Sequence, residues 1–203
     1  MKTAALFLNG DPPNEHALNH ALEYNPEFHL CTDGAYYYME DLKISPDAII
    51  GDMDSLHDIP KNTAVHFIED QNTTDFEKAL GFLAQNEFER VVVLGSTGGQ
   101  NDHFLGNLNA AYKFRQSLGL IFFDQSQRFF LIEKDTEFTT QPGKIVSLFP
   151  FPSARIQALE GLHYGLNNET LDLLDRVGTR NVAEAEQVKI SVSQGALWIF
   201  VAY

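Results

Sequence analysis

Short apolar runs alternate with amphipathic stretches through the first two-thirds of the chain, and then the alternation stops. Runs at 4–8, 28–32, 48–50, 64–68, 91–94 and 120–123 read as strands, and stretches at 15–24, 35–42, 74–84 and 104–117 read as helices. Parallel neighbours need a crossover between them, usually a helix, so this order predicts a mainly parallel sheet covered by helices. Val91-Val92-Val93-Leu94 is the clearest buried strand, being continuous, β-branched and followed by Gly95.

After Asp135 the texture changes. Runs at 144–148, 154–159, 187–192 and 196–201 read as strands with little helical periodicity between them. Ser193-Gln194-Gly195 is expected to turn the last two into a hairpin. The predicted fold class is α/β, with a mainly parallel α/β domain over 1–134 and a small, sandwich-like, all-β domain over 135–203. So small a domain has limited core, and it is expected to dock on the first domain or on another subunit.

Composition narrows the function. An apolar content of 44% suits a soluble globular protein. Acidic residues outnumber Lys and Arg by 28 to 14, a formal charge of −14, which argues against a nucleic-acid backbone as main partner. A nucleotide remains compatible, because a divalent cation reverses the local sign of the field. The single cysteine, Cys31, excludes an internal disulfide and reads as a buried thiol in a reducing compartment. The N-terminus leads straight into a strand pattern without a signal-peptide apolar stretch, so a cytoplasmic location is expected. No apolar run approaches the roughly 20 residues of a membrane span.

The candidate chemistry lies in the turns that follow the strands. Cys31-Thr32-Asp33-Gly34-Ala35, Gly51-Asp52-Met53-Asp54-Ser55 and Asp70-Gln71-Asn72-Thr73-Thr74-Asp75 are three acidic turns. In a parallel sheet these collect at one edge, where open α/β proteins bind ligands. Crowded carboxylates repel one another unless a hard cation lies among them, and Mg²⁺ takes oxygen ligands, usually with substrate phosphates. Asp52 and Asp54, two apart in extended chain, point to the same side. The same segment also suits a polar turn in which Asp54 or Ser55 caps the next element. Thr74 and Glu77 have the spacing of a capping box, so Asp75 also has a purely helical reading, and Lys78 can meet a phosphate or simply a neighbouring acid. Gly95-Ser96-Thr97-Gly98-Gly99 offers backbone N–H groups to phosphate oxygens, although it is neither a Walker A loop nor a dinucleotide turn. Asp102 and His103 there equally suit a cap and a packed imidazole.

Together these residues resemble the thiamine pyrophosphokinase family. The resemblance rests on Asp33-Gly34-Ala35, Pro46-Asp47-x-x-x-Gly51-Asp52-x-Asp54-Ser55, Asp70-Gln71-x-x-Thr74-Asp75-x-x-Lys78-Ala79 and Gly95-x-x-Gly98-Gly99-x-x-Asp102-His103. Gly161-Leu162-x-Tyr164-x-Leu166 and Gly178-Thr179-x-Asn181 extend it more loosely into the later region. The resemblance implies transfer of a pyrophosphoryl group from ATP to the hydroxyl of thiamine, giving thiamine diphosphate and AMP. It also implies a homodimer with a shared active site. Asp33, Asp52, Asp54 and Asp75 would form the Mg²⁺ and phosphate site, with Asp102 beside Asp52, Asp54 and Asp75 among the catalytic acids. Gly34, Gln71, Thr74, Lys78, Gly98, Gly99 and His103 would complete the nucleotide site, and Asn181 and Arg180 would meet thiamine. The chain departs from the family at Gln100, where arginine is usual, and at Arg180, which precedes Asn181 where the family has serine. Lys78 or Arg180 is then the candidate replacement cation. The rival readings are a related pyrophosphokinase acting on a pterin or similar heterocycle, and a non-catalytic nucleotide or thiamine binder.

Overall fold

A computed structural model describes residues 1–57, 60 and 63–203. They form two compact units, Met1–Gln125 and Ser126–Tyr203. This division precedes the expected boundary at 134/135, because the strand that begins at Gln127 pairs with the last strand of the chain.

In the first unit, six parallel strands are β1 (Thr3–Phe7), β2 (Phe28–Thr32), β3 (Ala48–Gly51), β4 (Ala64–Phe67), β5 (Arg90–Leu94) and β6 (Gly119–Phe123). Among the described residues four helices accompany them: α1 (Glu15–Leu22), α2 (Tyr36–Asp41), α3 (Asp75–Gln85) and α4 (Asn101–Phe114). A 3-10 turn, Asp33–Ala35, leads into α2. Strand order is β6-β5-β1-β2-β3-β4, so the mainly parallel α/β arrangement expected from the pattern is present. β1 is buried along its whole length, and Val91–Leu94 of β5 are fully buried, since strands covered on both faces exclude water from every side chain. Two helix starts are fixed locally. Asn14 accepts from the Ala17 N–H at 2.8 Å at the head of α1. At α3, Thr74 Oγ1 accepts from the Glu77 N–H, and the Glu77 carboxylate accepts from the Thr74 N–H. The other oxygen of Glu77 takes the ammonium of Lys113 on α4.

Chain order makes this sheet a ligand-binding scaffold. β1, β2, β3 and β4 step outward in one direction, whereas β5 returns to the opposite side of β1. The switch of direction therefore opens between β1 and β5, and ligands of open α/β sheets bind at such a point, beyond the carboxyl ends of the strands.

The second unit is an antiparallel sheet of β7 (Gln127–Ile132), β8 (Thr136–Thr139), β9 (Ile145–Glu160), β10 (Asn167–Asp172), β11 (Gly178–Val182) and β12 (Gln187–Ala202). β9 and β12 pair along most of their lengths. Each long strand serves two further neighbours, β11 and β10 on the halves of β9, β8 and β7 on the halves of β12. Val146, Leu148, Ile156, Leu171, Ile190, Leu197 and Ile199 are among the residues of its apolar core. The expected hairpin at Ser193–Gly195 does not form. Gln194 pairs with Arg155 and Gly195 with Ala154, with register shifts on either side. Gly195 adopts φ 82°, and a Cβ there would strike the Ser153 carbonyl, so the glycine serves a bulge in a continuous strand rather than a reversal. Among the described residues, no helix is long and apolar enough to cross a membrane.

Candidate active site

Asp33 follows β2 directly and is 3% exposed. Its Oδ1 accepts from the Gly34 N–H at 2.7 Å, and its Oδ2 from the Ser55 N–H at 3.4 Å. Burial drives its carboxyl above the ordinary carboxylate range, the Gly34 N–H opposes the rise, and the nearby charge of Asp75 adds to it. Gly51 makes room for this group: its φ is 154°, and a Cβ would lie 3.1 Å from Asp33 Cγ. Asp52, the next residue, is only partly buried. Gln71 donates to its Oδ2 at 3.0 Å, and the Asp54 N–H donates to its Oδ1 at 3.3 Å. Those bonds, Gln71's first, hold Asp52 below the usual carboxylate range. Met53 takes a left-handed φ of 62°, which turns the chain sharply between the two acids.

Asp75 occupies the first turn of α3, where the helix dipole favours negative charge. Its Oδ1 meets Lys78 Nζ at 2.8 Å, and the Lys78 side chain is 4% exposed. Burial alone would lower the lysine, but the hydrogen bond and charge of Asp75, with Asp52 beyond, outweigh it and raise the ammonium above its ordinary value. Asp33, Asp52 and Asp75 each offer an oxygen to one cluster in which these atoms lie within 4.8 Å of one another. Asp54 stays outside that trio, exposed, with its Oδ1 accepting from Ser55 Oγ at 3.0 Å. Three hard oxygen donors, two just past strand ends and one in the first turn of a helix, one of them buried and lacking compensating charge, match the donor set that Mg²⁺ takes.

The opposite wall is the glycine-rich turn after β5. Gly98 and Gly99 have φ of 84° and 64°, and nothing would meet a Cβ at Gly99. Gln100, Asp102 and His103 follow, all exposed, at the start of α4. These two walls enclose a cleft of about 580 Å³, lined by Asp33, Asp52, Gln71, Thr74, Asp75, Lys78, Gly98, Gly99, Asp102 and His103. Lys78 is the one lysine or arginine among the described residues that line it, so Gln100 leaves this wall without a cation of its own. Gly34 contributes its N–H to Asp33 and does not line the cleft.

Sequence reasoning missed the floor between the walls. Asn9 and Gly10, just past β1, and Asn107 also line the cleft, beside Ser96 of the glycine-rich turn. Gly10 N–H donates to Gly95 O at 2.9 Å, and Asp11 N–H to Thr97 O at 2.8 Å. A Cβ at Gly10 would collide with the Thr97 and Gly95 carbonyls. Tyr38 of α2 donates its hydroxyl to Leu8 O at 2.8 Å from beneath, and burial pushes its phenol far above its ordinary value, so it remains a donor. The Asn-Gly pair after a strand was the available signal, though it reads equally as an ordinary turn. Cys31 behind the site is a buried free thiol pushed up to about 12 by burial, then by Asp33.

In the second unit, Asn181 is 6% exposed and accepts from the Tyr164 and Val182 N–H groups, each at 2.9 Å, while donating to Tyr164 O at 2.7 Å. It clamps β11 to the Tyr164 loop. Arg180 is exposed, with φ 60° and its N–H on Ser147 Oγ.

The family described as thiamin pyrophosphokinase, catalytic domain, matches residues 20–122, and the one described as thiamin pyrophosphokinase, vitamin B1 binding domain, matches residues 131–197. Thiamine pyrophosphokinase 1 of Oryza sativa subsp. japonica is 29% identical over 77% of this chain, which spans 66% of that relative. Thiamin pyrophosphokinase 1 of Caenorhabditis elegans is 26% identical, over 97% of this chain and 88% of its own length. The crystal structure of thiamine pyrophosphokinase from Bacillus subtilis shares the fold, with a TM-score of 0.85 at 20% identity over 99% of each chain.

Proposed function

Because this chain belongs to the thiamin pyrophosphokinase family, we propose that its cleft binds ATP and passes a pyrophosphoryl group to the hydroxyl of thiamine. The chain is then an ATP:thiamine diphosphotransferase. The observation that carries this reading is the convergence of Asp33, Asp52 and Asp75 within 4.8 Å, with Lys78 against Asp75, at the edge where the sheet changes direction.

The thiamine hydroxyl oxygen forms a bond to the β-phosphorus, the bond from that phosphorus to the α-phosphate oxygen breaks, and AMP leaves with the electron pair. Such transfers depend on positioning and charge stabilisation more than on covalent work by the protein. Asp33, Asp52 and Asp75 would hold Mg²⁺, which when bound neutralises charge on the phosphate oxygens. Gln71 fixes the orientation of Asp52, and the Thr74 cap fixes that of Asp75. Lys78 adds a buried positive charge. Lys78 occupies one oxygen of Asp75 and the His103 N–H one oxygen of Asp102, so each acid keeps a second oxygen and both are candidate acceptors for the hydroxyl proton. Asp54, exposed beside the trio, contributes charge rather than direct ligation. The second unit supplies thiamine contacts through Arg180 and the remaining amide hydrogen of Asn181. A homodimer with a shared site and a cytoplasmic location complete the reading.

The test is product identity. Protein, ATP, Mg²⁺ and thiamine should yield AMP and thiamine diphosphate in equal amounts. ADP as the nucleotide product would replace this reaction with ordinary phosphoryl transfer, and product formation from a pterin alcohol but not thiamine would favour the rival substrate.

A further inference from the structure

Resting on the nucleotide reading above, we infer that Ser96 is a phosphate-binding residue whose hydroxyl is held in reserve for an oxygen of the polyphosphate. Ser96 lies two residues past β5, beside the point where strand order reverses, and lines the cleft. It is 4% exposed, and its Oγ is buried with no hydrogen-bond partner among the described residues. Native proteins seldom leave a buried hydroxyl in that condition, because it has lost its water and gained nothing in exchange.

Local looseness does not explain the orphan. The backbone around it is fastened on both sides. Asn107 Nδ2 donates to Ser96 O at 2.9 Å, Gly10 N–H binds the Gly95 carbonyl, and Asp11 N–H binds the Thr97 carbonyl. A Cβ at Gly95 would strike Leu8 O and approach Tyr38 Oη to 2.7 Å, so this residue cannot slide to find another partner. Only the hydroxyl retains freedom, since a serine side chain turns about one torsion among three staggered wells.

The surroundings identify the occupant. Leu8, Asn9, Gly10, Gly98 and Gly99 line this side of the cleft and carry no charge, while Lys78 and the three carboxylates belong to the other wall. An anionic oxygen arriving here meets no lysine or arginine on this side, where Asp102 lines the same wall and the Asp11 carboxylate lies against Gly98, and a hydroxyl beside a glycine-rich turn at a helix start is the neutral donor that suits it. Ser96 thus supplies, on the wall where Gln100 stands, part of the stabilisation that a fixed cation would otherwise give.

The inference separates stability from binding. Ser96→Ala removes an unsatisfied group, so the thermal midpoint of the ligand-free protein should stay level or rise. Affinity for a non-hydrolysable Mg²⁺–ATP analogue, and for Mg²⁺–tripolyphosphate, should each fall by about 5- to 10-fold, while the KM for thiamine stays unchanged. Unchanged affinity for both probes would overturn the assignment, as would a lowered midpoint, which would make the hydroxyl structural. Loss confined to the ATP analogue would move the contact to the nucleoside and also refute a phosphate role. Both probes report binding without turnover, so a wild-type protein that binds them yet makes no thiamine diphosphate would sink the proposed reaction and leave Ser96 standing.

Discussion

Asn181 in the antiparallel unit and Asp33 in the parallel one are both buried polar residues at the margin of a strand, yet their surroundings differ. Asn181 has three hydrogen bonds to its own loop and strand, and its amide carries no net charge. Asp33 has two backbone N–H groups for a full negative charge and two further carboxylates within reach. The contrast continues around each. Asn181 belongs to a unit whose apolar core spans its long strands, whereas the edge holding Asp33 also carries the orphan Ser96 hydroxyl and left-handed backbone at Met53, Gly98 and Gly99. A polar group held by several bonds to its own chain locks a fold. One left under-compensated costs stability and persists where a ligand completes it.

Three substitutions press on this contrast. The largest effect is expected for Asp52→Asn, which keeps the shape but halves the acceptor capacity of one member of the trio. Turnover should fall by about 100-fold or more at saturating Mg²⁺, with circular dichroism unchanged. Near-normal turnover would remove the charge argument from the parallel unit. Asn181→Ala should act in the opposite currency, lowering unfolding free energy by about 2 kcal/mol in a urea titration, because Tyr164 and Val182 lose buried partners. An unshifted urea midpoint would mean the amide is not a clamp. The smallest change is expected for Asp33→Asn, which should raise metal-free stability by about 1 kcal/mol and abolish stabilisation by added Mg²⁺. The sign with pH follows from the raised carboxyl. Its contribution to metal-free stability is complete below the ordinary carboxylate value and is lost as pH climbs through the higher folded value. The asparagine variant should flatten that decline, and an unchanged profile would show that Asp33 is not the strained group.

Much of this arrangement was legible in the sequence because it is written locally. Phe28–Thr32, the capping box at Thr74 and Glu77, and the acidic turns after β2 and β3 depend on residues within a few positions of one another. The floor of the cleft was not legible. Gly10 and Gly95 meet only because β5 returns to the side of β1, and nothing near Asn9-Gly10 distinguishes that contact from a plain turn. Ser193-Gln194-Gly195 misled for a related reason. Left-handed glycine serves a hairpin and a bulge alike, and the choice was made by Arg155 and Ala154, far away in the chain. The end of the first unit was obscured because Phe129 to Ile132 continues the apolar texture, while its antiparallel partner is the last strand.

Glu77 joins the first turn of one helix to the last turn of another, since a single carboxylate takes the Thr74 N–H and the Lys113 ammonium. Lys113 stands largely in solvent, so dissolved ions reach this tie and weaken it over a screening distance of about 8–10 Å at physiological strength. Asp75, in the same first turn, is thereby coupled, through one shared side chain, to the saltiness of the medium around the far end of the neighbouring helix.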